Sequence, residues 1–186
     1  MADLSAAIGL TTARQQPVLP SSPLFRQLPP ASRLVLRGGS QALAAAAGAL
    51  GLAHGETPCR AVRNDGKAAL WLGPDERLLL GPADAAGEMA GLLRRALAGM
   101  SHSLVDVSHA QTAIELSGAR AAAALNIGCP LDLDPAVFPV DMCTRTVFAK
   151  AQIVLWRTSL ETFRVETARS FAPYVTQILA QAARET

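Results

Sequence analysis

The chain is short of the residue types that mark several kinds of protein, and each shortage removes a class. Aromatic residues make up 4% of it: five Phe, two Trp and one Tyr. No cluster of Lys and Arg interleaves with them, and 17 basic residues against 15 acidic ones leave a formal net charge of +2. The electrostatic footprint of a nucleic-acid-binding protein is missing. Cysteine occurs three times, at Cys59, Cys129 and Cys143. One thiol is left over from any disulfide scheme, and neither a Cys-x-x-Cys pair nor a zinc-like Cys/His spacing is present. Small buried reduced thiols are therefore expected. The longest nearly unbroken apolar run, residues 42–53, is too short to span a bilayer as a helix. The N-terminus carries Asp3 and no early Lys or Arg, which argues against a secretory leader. A cytoplasmic protein without a membrane partner is the expectation.

What remains is apolar material in quantity. Half of the 186 residues are hydrophobic, enough for a sizeable core in one domain or two small intertwined halves. Residues 1–30 hold Pro17, Pro20, Pro23, Pro29 and Pro30 with little periodicity. Proline removes backbone donors and disfavours helix before it, so this stretch reads as an extended arm. Leu4, Ile8, Leu10, Leu19, Leu24, Phe25 and Leu28 make it too apolar for a plain linker. Such an arm lies on its own domain or on a neighbour.

From Arg33 onward the pattern is regular. Residues 34–37 read as a strand and 40–52 as a helix with Ser40 at its N-cap. Residues 59–63 and 67–72 form a hairpin around Asn64-Asp65-Gly66, and 77–80 a further strand. Asp84 opens a helix to about residue 98, with Met89, Leu92, Leu93, Ala96 and Leu97 as its apolar stripe. Residues 104–107 are a linking strand. The order then repeats: a strand at 112–117, a helix at 119–126, strands at 144–148, 153–157 and 163–166, and a closing helix at 170–183. A connection over residues 129–141, with Pro130, Pro135 and Pro139, interrupts the second copy.

Individual residues echo the repeat. Leu36-Arg-Gly38 with Ala42 matches Leu116-Ser-Gly118 with Ala122, and Gly48 matches Gly128, all at an offset of 80. Cys59 pairs with Cys143 at 84 and Trp71 with Trp156 at 85, small insertions accounting for the drift. The expected fold is α+β: two duplicated, ferredoxin-like strand-helix-strand-strand-strand-helix halves related by a pseudo-two-fold, each sheet covered by helices on one side. The expected domains are the arm at 1–30 and a single domain at 31–186, with halves at about 31–100 and 101–186.

No constellation carries catalysis convincingly. Asp106, Ser108 and His109 look like a cluster, but residues two or three apart on an extended segment point in different directions, and nucleophile and base must lie within hydrogen-bond reach. A turn in which Asp106 and Ser108 bond local backbone is the simpler reading. His54 and His102 sit at helix ends without a second ligand at metal spacing. Gly38-Gly39-Ser40 resembles half of an anion-binding turn but lacks the full glycine spacing and a Walker lysine. Arg94, Arg95 and Arg157 read as solvated faces, and Trp71 and Trp156 as core or groove packing unless they form a partner surface. No catalytic, cofactor-binding or metal-ligating residue is assigned.

The run Asp106-Val-Ser-His109 followed by Ile114-Glu-Leu-Ser-Gly118 resembles the folate-binding aminomethyltransferase (T-protein) family of the glycine cleavage system. The likeness continues through Ile153-Val-Leu-Trp156 and Phe163-Arg-Val-Glu166, over roughly residues 100–183. The whole chain, including Trp71-Leu-Gly-Pro-Asp-Glu76 and Ala172-Pro-Tyr-Val-Thr-Gln-Ile-Leu179, is similar to the gamma subunits of heterotetrameric sarcosine oxidases. The aminomethyltransferase likeness implies that family's folate-binding-domain fold. It departs at Phe148-Ala149-Lys150-Ala151-Gln152, where those enzymes carry a Gly-Gly turn and an acidic pair. A lysine cannot take over the role of a proton-accepting carboxylate. The large C-terminal part that completes their folate pocket and the Lys-Gly-Cys motif of the related iron–sulfur maintenance proteins are also expected to be missing. The resemblance implies a cofactor-free, non-catalytic subunit packed chiefly on alpha, in a complex with beta and delta. FAD, FMN, NAD and tetrahydrofolate are then expected in the partners, which demethylate sarcosine to glycine with hydrogen peroxide and 5,10-methylenetetrahydrofolate. The alternative is a stand-alone one-carbon folate-binding protein or an aminomethyltransferase-like enzyme.

Overall fold

The computed structural model describes residues 22–185. The first 21 residues, including the Leu4, Ile8, Leu10 and Leu19 assigned to the arm, lie outside the described residues.

The chain runs β1 (Phe25–Gln27), β2 (Ser32–Gly38), α1 (Ser40–Ala49), β3 (Ala61–Asn64), β4 (Lys67–Gly73), β5 (Glu76–Gly81) and α2 (Ala86–Ala96). It repeats as β6 (His102–Asp106), β7 (Gln111–Ser117), α3 (Ala121–Asn126), β8 (Cys143–Phe148), β9 (Ala151–Ser159), β10 (Thr162–Ala168) and α4 (Ala172–Glu185). Two antiparallel sheets result, ordered β3-β4-β5-β2-β6 and β8-β9-β10-β7-β1. Reading β1–α2 against β6–α4 makes the two orders identical, except that each half lends its first strand to the other half's sheet. Phe25 pairs with Leu116 in one sheet and Leu104 with Leu36 in the other. Residues 25–27 of the arm span are thereby a strand of the second sheet, with Leu24 and Phe25 buried in its core.

Strand alternation sorts the side chains into layers. In β2, Leu34 and Leu36 face a core with Ala42, Leu43, Ala46 and Ala47 of α1 and Met89, Ala90 and Leu93 of α2. In β10, Phe163 and Val165 face α3 and α4 through Ala121, Leu125, Val175 and Leu179. The remaining faces meet each other: Ala68, Leu70, Leu78 and Leu80 pack on Cys143, Val154 and Trp156. The molecule is thus helices, sheet, sheet, helices, and a seam between the sheets is its third core.

Backbone pairing also crosses the seam. Arg60 bridges Met142, flanked by Ala61 N–H to Asp141 O at 2.8 Å and Cys143 N–H to Cys59 O at 2.9 Å. That symmetric pattern corrects two of the sequence anchors. Cys59 corresponds to Asp141, both left-handed at φ 56° and 64°, and Ala61 to Cys143. Because Ala61 pairs with Leu70 and Cys143 with Trp156, the counterpart of Trp156 is Leu70, and Trp71 matches Arg157. A one-residue shift moves a strand residue to the opposite face, so equal residue names at a convenient offset do not establish equivalence. Gly38 and Gly118 do correspond: their amides donate to Asp75 O and Glu161 O at 2.9 and 3.0 Å. Gly48 lies inside α1 whereas Gly128 follows α3.

The helix ends need smaller corrections. Gly39, not Ser40, caps α1, and no side chain bonds there. The helix stops at Ala49 because Gly51 turns at φ 69° and the Leu52 amide returns to Ala47 O, a Schellman closure. Asp84 has φ 60°, outside the helical region, so α2 begins two residues later.

Candidate functional site

The turn from β6 into β7 carries the motif that the sequence singled out. Asp106 Oδ1 accepts from the Ser108 amide at 2.9 Å and from the Ser108 hydroxyl at 2.6 Å. Ser108 Oγ in turn accepts from the Arg33 amide at 2.9 Å. The Val107 amide donates to Arg33 O, also at 2.9 Å, which ties the turn to β2. This is an Asx-type turn locked onto the neighbouring strand. The two bonds from Ser108, the hydroxyl first, hold the exposed Asp106 carboxyl below its ordinary pKa, and the nearby His109 lowers it further. Asp106 is therefore an ionised acceptor at neutral pH. The Ser108 hydroxyl is used on both sides, and no hydrogen bond joins it to the His109 ring among the described residues. Nucleophile and base are adjacent in sequence but unconnected in space.

Asp106, Ser108 and His109 line a cleft of about 250 Å³ that also takes in Arg33, Asp84 and Arg169. That volume lies under the range of roughly 300–1,000 Å³ common for small-molecule and cofactor sites. Phe148–Ala151 closes the β8–β9 hairpin, with Ala149 at φ 50° and its amide on Gly128 O. No residue from 148 to 152 lines the cleft. His54 lies 3.2 Å from Glu56, and His102 Nδ1 is 2.9 Å from Met100 O. No group of three His, Cys, Asp or Glu side chains suited to a metal occurs among the described residues.

The most strongly held charges lie on the seam, and one of them, Arg33, also borders this cleft. Arg33 on β2 and Glu166 on β10 are both almost fully buried, with Arg33 Nε 2.6 Å from Glu166 Oε2. Arg164 closes on the other oxygen at 2.6 Å. One carboxylate thus holds two guanidiniums between the sheets. Glu76 of β5 and Arg145 of β8, 2.6 Å apart, make a second crossing nearer solvent. The sequence reading passed over these groups. A signal was there: Arg164 and Glu166 alternate with Phe163 and Val165, so an acid and a base share the face opposite the apolar one.

Arg157, read as part of a solvated face, is 1% exposed. Its guanidinium lies 4.5 Å from the Phe163 ring and donates to Leu133 O, while burial pushes its pKa down. Arg77 stands over Trp71 at 5.5 Å in the corresponding cross-strand pair of the first sheet. It donates to the carbonyls of Gly73, Glu76 and Gly55, and burial lowers its pKa too.

These features define a class first: a duplicated α+β domain of the aminomethyltransferase type. Aminomethyltransferase T of the glycine cleavage system from Bartonella henselae superposes with TM-score 0.66 over 86% of this chain and 46% of that one, at 12% identity, which shows the fold. The particular family follows from the sequence match. Residues 37–185 match the sarcosine oxidase, gamma subunit family, and the chain belongs to that family. It is 36% identical over 121 residues to sarcosine oxidase subunit gamma of Corynebacterium sp. (strain P-1), covering 65% of this chain and 59% of that one. Against the subunit gamma of Corynebacterium sp. (strain U-96) the identity is 36% over 148 residues, 79% of this chain and 70% of the relative. A chain of the heterotetrameric sarcosine oxidase from Corynebacterium sp. U-96, in complex with pyrrole 2-carboxylate, superposes with TM-score 0.81 at 31% identity, over 87% of this chain and 83% of that one. The match spans about three-fifths of the first of these relatives. No helix among the described residues is long and apolar enough to cross a membrane.

Proposed function

We propose that this chain is a non-catalytic assembly subunit of a heterotetrameric sarcosine oxidase, working in the cytoplasm and packing on alpha beside beta and delta. In this reading it holds no cofactor. FAD, FMN, NAD and tetrahydrofolate belong to the partners, which demethylate sarcosine to glycine with hydrogen peroxide and 5,10-methylenetetrahydrofolate. The observation that carries the proposal is the superposition, at TM-score 0.81, on a chain of an enzyme that is itself a heterotetramer. The Ser108 hydroxyl supports it, being engaged with Asp106 and the Arg33 amide rather than with the His109 ring.

The test is to tag this chain and co-express it with the other three subunits from its own genome. Flavin absorbance should co-elute with the tag in fixed stoichiometry, and the chain alone should produce no peroxide from sarcosine. Turnover by the isolated chain overturns the reading, as does its elution free of flavin-bearing chains. Calorimetry with tetrahydrofolate adds an independent arm: saturable binding abolished by Asp106→Ala would replace this reading with a folate-binding one.

A further inference from the structure

A second cleft, of about 280 Å³, opens at the edge of the seam. Its walls are the β3–β4 turn, with Arg63 and Lys67, and the Arg164 side of β10; Trp156 of β9 lines it between them. Its polar groups are mostly donors. The Trp156 indole N–H, on a residue 6% exposed, donates to nothing, and Arg164 Nη2 also makes no hydrogen bond although it is ion-paired with Glu166. Lys67 has no carboxylate within salt-bridge distance among the described residues. Arg63 stands 6.0 Å from the Trp156 ring and is paired with Asp141 at 3.2 Å.

The charges lining this cleft do not cancel. Of the charged residues that line it, Arg63, Lys67 and Arg164 are positive and Asp65 is negative, while Asp141 and Glu166 behind the lining pair with Arg63 and Arg164. The Lys67 ammonium is left without a carboxylate partner among the described residues, in the same cleft as the unpartnered Trp156 N–H. A carboxylate supplies one negative charge and two acceptor oxygens, whereas a phosphate brings nearly two charges.

We infer that this cleft receives an acidic side chain from a partner subunit. Buried, unmatched donors are costly until an acceptor arrives, and a charge-assisted hydrogen bond is about twice as strong as a neutral one. The inference rests on the subunit reading above and adds a place on the surface where a partner docks.

The experiment measures the affinity of the full chain for the co-expressed flavin-bearing subunits at low and high salt. Lys67→Glu should weaken association at least tenfold at low salt, with the difference shrinking as salt rises. Trp156→Phe removes the N–H together with the five-membered ring while leaving an aromatic side chain in the seam; a loss of about threefold is expected. Arg120→Glu, an exposed change on the outer helical layer, should bind like wild type. Circular dichroism confirms that each variant is folded. Wild-type affinity in both Lys67→Glu and Trp156→Phe overturns the inference and spares the subunit reading, as does an equal loss in Arg120→Glu. Failure of the wild-type chain to bind the flavin-bearing subunits overturns both.

Discussion

The two halves share a strand order but fill it with different chemistry. The core of the second sheet holds Phe25, Phe138, Phe148 and Phe163; that of the first holds no aromatic residue and is built from Leu, Ala and Met. Each fully buried Phe contributes roughly 1.5–3 kcal/mol, so the second sheet carries the larger apolar stabilisation. The Ala-rich face of α1 instead brings backbone close to the sheet. The cross-strand cation–π pair survives in both halves with its roles reversed, Trp71 with Arg77 and Arg157 with Phe163. Seam charges are one-sided: Arg33 and Glu166 have Ala113 and Leu80 as their pseudo-symmetric counterparts. The duplicated halves therefore share a hydrogen-bonded frame, while the side chains between the sheets differ and the buried ion pair occurs on one side of the pseudo-two-fold.

Removing the shared carboxylate breaks the asymmetry most directly. Glu166→Ala leaves Arg33 buried without its partner and should cost about 3–5 kcal/mol in urea unfolding. The double variant Arg33→Met/Glu166→Leu should recover much of that loss. The exchanged strands give the next contrast. Phe25→Ala should cost about 3 kcal/mol and its counterpart Leu104→Ala, which is half-buried, about 1 kcal/mol. Equal losses would show that the two edge strands are interchangeable. Among the cation–π pairs, Arg77→Met strips three carbonyls of their donor and should cost about 2 kcal/mol. Arg157→Met, whose Nε and Nη1 already lack partners, should stay within about 1 kcal/mol of wild type in the same measurement.

The smallest effect lies in the thiols at the seam. Burial pushes the Cys143 thiol up to about 12, while Cys59 is half-exposed. A folded-state value raised above the unfolded one favours the neutral thiol. Its contribution to stability is full below the ordinary thiol range near pH 9 and is lost as pH rises toward 12. Mass spectrometry after iodoacetamide treatment at pH 8 should find Cys59 labelled and Cys143 unmodified. Equal labelling would mean that the seam opens readily.

Much of the frame was readable along the chain because it is local. Asn64-Asp65-Gly66 turns a hairpin, Gly38 and Gly118 end their strands, and the apolar stripe of α2 faces a sheet, each at a spacing that neighbouring residues alone enforce. The Asp106–Ser108 turn was legible for the same reason, its two partners being two residues apart. Arg157 misled because a charged residue reads as exposed until the ring and carbonyl that receive it are known. Arg33 and Glu166 escaped notice because 133 residues separate them.

Alternation, turn chemistry and repetition by themselves determined that this chain makes two α+β halves of one design, since each depends on contacts within a few residues. Three things waited for the tertiary structure: which half owns each first strand, which residues are true counterparts, and where one carboxylate meets two arginines. Those outcomes depend on how the sheets face each other, and strand register and buried charge pairing are decided only when distant segments meet.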